Sequence, residues 1–434
     1  MAATASPRRT TAKPGAKNKP GAKNKPAAKN KPAARNKPAA KKKPAAKTQA
    51  AARAKAPTNG KATAATKSKP ALLSIPDPGQ PVGPRPDSFR LTPEQIELFG
   101  EEMEALKNRM LDDIGQRDVD YIKKIFKAQR TLEVAGRGML FLSFIPPAWL
   151  AGTVSLGLAK IIDNMEIGHN VMHGQYDWTQ DPALSSKNFE WDTAAPSDNW
   201  KNSHNFVHHT FTNVVGKDRD VGYGILRMSE EQPWHPYYLG NALYAFLLMV
   251  FFEYGVALHD LEVDRIVSGE IKFSDRREEA NRIWKKISKQ ATKDYLLFPA
   301  LSGPMAPLVF AGNFSANIIR NIWAFTIIFC GHFPEGINEF LAEETENETK
   351  GEWYYRQVLG SGNLTGGKLF HIMSGNLSHQ IEHHLFPDVP AHRYAEMAVE
   401  VKEACARFGI PYNSGPLYRQ FGTVVKKIVR LSLP

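Results

Sequence analysis

The sequence predicts an all-α fold: a polytopic membrane helical domain with a histidine-rich cap on its cytoplasmic side, behind a disordered basic N-terminal tail. Three observations predict it. Long apolar runs interrupt an otherwise charged chain of 434 residues. Ten of the 13 histidines fall in three short windows or at the exit of an apolar run. The charge is unevenly spread: residues 1–70 hold 20 Lys and Arg and no Asp or Glu, while the remainder holds 36 basic and 44 acidic residues.

The tail comes first in the chain. Residues 16–45 repeat a six-residue unit (AKNKPG, AKNKPA, AKNKPA, ARNKPA, AKKKPA) with no large apolar side chain. Stacked copies would bury nothing, so the repeat reads as a disordered polycation. Its expected roles are a solubilising extension, attraction to anionic lipid or attraction to nucleic acid. A Pro-rich linker follows over residues 71–90. Order is expected from Thr92, where Thr-Pro and Glu94 suit a helix start. The chain divides into residues 1–90 as tail and linker, 91–425 as the membrane domain and 426–434 as a basic end.

Within the body, residues 138–162 carry one charge, Lys160, and could span about 30 Å of hydrocarbon. Residues 238–258 carry only Glu253, and residues 295–332 carry only Arg320. The last run exceeds one crossing and has expected breaks near Gly303-Pro304 and Gly312-Asn313, so it reads as a helical hairpin. Pro146-Pro147 offers a break for a hairpin in the first run. The loop 259–293 carries nine Lys and Arg and belongs on the cytoplasmic side, as do the tail and Lys426, Lys427 and Arg430. Residues 238–258 are then expected to lie in the interface or re-enter. The mean hydropathy of −0.39 averages in the polar tail. Two cysteines, Cys330 and Cys405, exclude a disulfide framework, an iron–sulfur cluster or a thiolate zinc site, and fit a reducing compartment.

The histidines recur at helical spacing. His169 and His173 are four apart, on one helix face. His204, His208 and His209 in "HNFVHHTFTN" repeat the spacing with a neighbour added. His383 and His384 follow Gln380 in "QIEHH", and His332 ends the last apolar run. Imidazole suits zinc, copper, iron and nickel. Seven or eight histidines exceed the needs of one ion and point to two metals side by side. The paired Glu-x-x-His motifs of soluble di-iron bundles are absent, the pattern occurring once, at Glu166–His169.

At these residues the chain resembles the integral-membrane fatty acid desaturases. Their three histidine boxes appear as "HNVMH" (169–173), "HNFVHH" (204–209) and "QIEHH" (380–384), within "NMEIGHNVMHGQYDW", "NSHNFVHHTFTN", "GKDRD" and "HQIEHHLFPDVPAHRY". The similarity covers roughly residues 90–425 and looks closest to the actinobacterial acyl-CoA desaturase branch. It implies a di-iron cap that uses O2 to introduce a double bond into a long acyl chain. The implied iron ligands are His169, His173, His204, His208, His209, His383 and His384, with His332 as the extra histidine after the last membrane helix. Box three begins with Gln380 where many acyl-CoA desaturases have His. Gln380 is therefore one candidate ligand, and His379 beside it an alternative source of the imidazole. Glu166, Asp218, Asp220 and Glu382 are candidates to fix ligand histidines from behind. His235, His259 and His392 are read as structural. Trp191 and Trp200 are read as packing residues, with a substrate entrance as the alternative.

The implied location is a bacterial plasma membrane, with the site facing the cytoplasm. No cytochrome b5 segment, dinucleotide fingerprint or ferredoxin cysteine set is visible, so electrons are expected from a separate reductase or carrier protein. A hydroxylase of the same histidine-box superfamily is the competing enzyme. A nucleic-acid- or membrane-tethering protein acting through the tail is the competing non-enzyme.

Overall fold

The computed structural model describes residues 91–434, and the expectations for the tail and linker lie outside the described residues. What is described is mostly helical. Its one sheet pairs two three-residue strands in parallel, β1 Asn363–Thr365 and β2 Ser414–Pro416.

α1 (Pro93–Asp112) begins where Thr92 predicts. The Gln95 amide NH donates to Thr92 Oγ1 (3.3 Å) and the Thr92 NH donates to Gln95 Oε1 (3.0 Å). This reciprocal cap satisfies two amides that a helix start leaves free. The helix buries Ile96, Phe99, Met103 and Leu106, one apolar stripe.

α2 (Gln116–Phe141) and α3 (Pro146–Ile161) form a hairpin whose second arm starts at Pro146-Pro147. Proline is tolerated in a first helical turn, where its missing amide hydrogen is not needed. The first arm is much longer than the apolar run from residue 138 suggested, because its N-terminal half is charged. The two arms meet at glycines: a Cβ on Gly136 would lie 3.0 Å from Gly152 O. Small residues permit that approach.

α4 (Asn241–Val250) and α5 (Phe252–Asp260) are bent by 102° at Phe251. The run 238–258 is therefore broken, in keeping with an interfacial or re-entrant segment. α6 (Arg277–Ala291) continues through a π-helical turn, Thr292–Leu297, to Phe298–Leu301. After a turn at Gly303–Met305 the chain returns as α7 (Ala306–His332).

The hairpin and its break at Gly303-Pro304 match expectation, but the break expected at Gly312-Asn313 does not occur. Gly312 serves close packing instead, since a Cβ there would meet Leu140 Cδ2 at 2.5 Å. The Asn313 amide donates to Asp294 O at 2.6 Å. The helix Gly303–His332 is long and apolar enough to cross a membrane. Asp294, fully buried between the hairpins, receives Arg137 Nη2 and Lys160 Nζ at 2.8 Å each.

The later helices include α8 (Lys350–Leu359), α9 (Gln380–Leu385), α10 (Tyr394–Phe408) and α11 (Leu417–Arg430). α1, α8, α9 and α10 share one apolar core. The boundary drawn at residues 425/426 falls inside α11, whose Ile428 is buried beyond it.

Candidate metal centre

Four segments bring the histidines together. α3 runs on through a π-helical turn, Ile162–His169, to Asn170–Met172, and carries His169 and His173. Ser197–Trp200 leads into a second π-helical turn, Lys201–His208, and then His209–Phe211, carrying His204, His208 and His209. α7 ends on His332. α9 supplies Gln380, His383 and His384, which at i, i+3 and i+4 share its inner face. Wide turns of this kind recur at functional sites.

The imidazoles form adjoining sets. Nitrogens of His169, His173, His204 and His383 lie within 4.8 Å of one another, as do those of His208, His332 and His384. His209 groups with His383 and His384 and so stands between the sets. The His209 and His384 rings stack at 4.5 Å, and the His208 and His332 rings meet edge to face at 4.7 Å.

All of the candidate histidine ligands, with Gln380, are thus brought together, but His379 is not. It precedes α9, stacks on His371 at 4.6 Å and faces Glu382. The alternative in which His379 supplies an imidazole therefore falls away. Gln380 Nε2 lies 3.0 Å from His332 Nε2 and 3.1 Å from His384 Nε2. Gly331 leaves room for it, since a Cβ there would meet Gln380 Cγ at 2.8 Å.

These residues fit metal. Buried polar atoms normally find partners, yet the buried His173 Nε2, His208 Nε2, both His209 nitrogens, His332 Nδ1, His383 Nε2 and Gln380 Oε1 have none. Burial, followed by repulsion from His204, pushes His169 down to about 3, and His173, His209, His383 and His384 are also held well below the usual range. Neutral imidazoles with free nitrogens turned toward one another are what a cation needs from its ligands.

The carboxylates divide. Asp218 Oδ2 lies 3.0 Å from His208 Nδ1 and accepts the Asn213 amide at 2.8 Å. Burial opposes charge on His208, but Asp218 overcomes it and raises the imidazole to about 8. Asp220 lies 3.8 Å from His204 Nδ1 and 3.0 Å from His259 Nε2. Glu166 and Glu382 do not fix a ligand histidine. Tyr121 OH and the Asn376 amide donate to Glu166, at 2.6 Å and 3.0 Å. The Asn363 amide and Tyr412 OH donate to Glu382. Both carboxylates brace loops behind the site.

Other partners were not read from the sequence. Asn170 Oδ1 faces His169 Nδ1 (3.1 Å), Thr212 Oγ1 faces His384 Nδ1 (3.1 Å) and Tyr394 OH faces His383 Nδ1 (3.4 Å). Asn170 and Thr212 carry a signal, being one residue and one turn from a box histidine. Tyr394 carries none. His259 is not merely structural, because it holds Asp220. His235 accepts the Tyr237 amide, and His392 stacks on Tyr121, both away from the cluster.

A narrow, partly enclosed cavity opens beside the imidazoles. His169, His204, His208 and His332 form one wall, and much of the rest is apolar. Trp191 and Trp200 line it, and Trp200 stacks on His204 at 4.4 Å. A separate polar pocket with Arg219 and Arg276 shares Ser203 and Asp260 with it. Tyr223, in the cavity wall, holds a left-handed φ of 54° between two glycines, a strained conformation of the kind found at working sites.

Fold and cluster together define a helical protein built around a buried, metal-competent histidine centre beside an apolar cavity. Residues 145–416 match the fatty acid desaturase family, and the chain belongs to that family. An NADPH-dependent stearoyl-CoA 9-desaturase of Mycobacterium tuberculosis is 44% identical over 348 residues, 79% of this chain and 82% of that protein. An sn-1 linoleoyl-lipid 6-desaturase of Synechocystis is 27% identical over 65% of this chain and 79% of its own length. Human fatty acid desaturase 3 is 24% identical over 54% of this chain and 50% of its own length.

Proposed function

We propose that the chain is a membrane-bound, O2-dependent desaturase of a long acyl chain carried on coenzyme A. One observation carries the reading: His208 and His332, buried imidazoles with unpartnered nitrogens, stand in the wall of the apolar cavity with the rest of the cluster behind them. The 44% identity to a stearoyl-CoA desaturase supports the thioester substrate. His169, His173, His204 and His383 would hold one iron, and His208, His332 and His384 a second, with His209 between them and Gln380 beside the second set. Bound iron supplies, from O2 and electrons, an oxidant for methylene C–H bonds that no side chain can attack.

The protein's own residues do the rest. The cavity walls align two adjacent carbons with the imidazole wall, and that position selects the bond. Asp218 accepts from His208 Nδ1 and fixes the tautomer that leaves Nε2 free. Trp191 and Trp200 keep water from the reacting carbons.

The α2–α3 hairpin and the hairpin of residues 295–332, which ends in α7, would each cross a bacterial plasma membrane twice. The loop 259–293 and both termini would then lie with the cap in the cytoplasm. Electrons would arrive there from a separate reductase or carrier, with NADPH as their source by analogy with the mycobacterial relative. Residues 91–425 would carry the activity. The basic tail would be an accessory directed at anionic lipid or nucleic acid.

The test is fatty acid profiling by gas chromatography–mass spectrometry in cells expressing the chain or its His208→Ala/His209→Ala variant. A new unsaturated acid made only by the intact chain supports desaturation and locates the double bond. A hydroxy acid in its place, or identical profiles with an iron-free purified protein, overturns it.

A further inference from the structure

The cavity has a direction. Along α7 it is lined by His332, Ile328, Ala324, Asn321 and Arg320, successive turns of one face, and by nothing nearer the start of that helix. At 1.5 Å per residue it runs about 18 Å from the last imidazole and stops at Arg320. Along α5 it runs from Asp260, which it shares with the polar pocket, to Glu253 and the adjoining Phe252. The two helices converge on one ion pair, Arg320 Nη2 with Glu253 Oε1, in side chains 2% and 3% exposed.

Each partner of that pair is tied down by a further side chain. Arg320 Nε donates to Asn321 Oδ1 (3.1 Å), and Gln290 Nε2 donates to Glu253 Oε2 (2.9 Å) and to Asp192 O (3.1 Å). The tie joins α5, α6, α7 and the segment before Ser197. An apolar plug yields to a longer chain by changing rotamers. A buried ion pair does not yield, because parting it strands two charges away from water.

We propose that the Arg320–Glu253 pair is the floor of the acyl cavity and fixes how many carbons extend past the reacting bond on the methyl side. This rests on the desaturase reading above. The acyl head enters by the Ser203–Asp260 side, the reacting carbons pass the imidazoles, and the methyl end meets the pair. The floor is then a chain-length gauge, and it acts without touching the reacting atoms.

The experiment profiles products, by chain length and double-bond position, from cells fed saturated acids of graded length. Three forms are compared: the unmodified chain, the Glu253→Ala/Arg320→Ala double variant and Ala324→Phe. Removing both charges opens the floor. The ratio of products two carbons longer to those of normal length is expected to rise roughly 15-fold, the transfer worth of two buried methylenes. Double-bond position counted from the carboxyl end is expected to be unchanged. Ala324→Phe raises the floor by about one turn and shifts products to shorter chains.

An active double variant with an unaltered length distribution overturns the proposal. If that variant fails to accumulate, an unshifted Ala324→Phe profile overturns it alone. No unsaturated product from the unmodified chain removes the desaturase reading, and the floor with it.

Discussion

Gln380 Nε2 sits 3.0 Å from His332 Nε2, so an amide joins α9 to the end of α7 within the histidine cluster. Its Oε1 is buried and has no partner. The amide can therefore turn a carbonyl oxygen toward whatever His208, His332 and His384 hold. Gln380→His is expected to keep the metal content of the unmodified chain, since an imidazole suits the same ion. Gln380→Leu is expected to weaken binding by about 10–100-fold. Chelator competition followed by elemental analysis checks both.

The carboxylates give a sharper contrast. Asp218→Asn removes the acceptor that orients His208, and metal affinity is expected to fall about 10–100-fold. Glu166→Gln and Glu382→Gln touch no ligand imidazole, and affinity is expected to change by no more than a few-fold. Equal losses in all three would mean that the loops behind the cluster matter as much as the acceptor in contact with it.

Between the hairpins, Asp294 pairs with both Arg137 and Lys160 with no exposure of its own. Asp294→Asn leaves these cations only the more distant Glu133 and Asp192, at 3.8 Å and 3.7 Å, and is expected to cost about 3–5 kcal/mol. Thermal unfolding in detergent measures it. The triple variant Asp294→Asn/Arg137→Met/Lys160→Met should recover most of the loss, because replacing a buried ionic cluster by apolar groups is often neutral.

Asp260 supplies a pH dependence. Burial raises its carboxyl from 3.8 to about 6. Below pH 3.8 it is protonated in both folded and unfolded chains, and its contribution to stability is fully present. As pH rises to 6 the unfolded chain ionises first, and that contribution is lost. Asp260→Asn is therefore expected to stabilise the protein at pH 7.5 by about 3 kcal/mol. The gain should shrink steadily from pH 6 toward pH 4, as melting curves across that range would record.

How much of this was legible in the sequence depended on whether a pattern was local. Thr92 announced α1, because a cap needs only residues three apart. The boxes announced the cluster, because i, i+4 spacing selects a helix face. The start of α2 at Gln116 was not legible, since its charged first half resembles any exposed helix. The continuity of α7 through Gly312-Asn313 was hidden because a glycine that admits a neighbouring helix reads the same as one that ends a helix. His259 and Tyr394 reach the site through tertiary packing, and no spacing in the chain reports that. The division among the four carboxylates follows from loop paths at Asn213 and Asn376, both with positive φ.

The π-helical turn Ile162–His169 lets one continuous rod serve two partners at once. Such a turn holds one residue more than an ordinary helical turn while advancing by a similar angle about the axis. Regular α pitch through the same residues would carry everything beyond them about 100° further round. Lys160, on the hairpin side, would stay facing Asp294, while His169 and His173 would swing away from the other boxes. Deleting one residue from the turn would restore regular pitch with both faces still in phase. The wide turn thus absorbs a surplus residue between the hairpin and the metal wall without parting them.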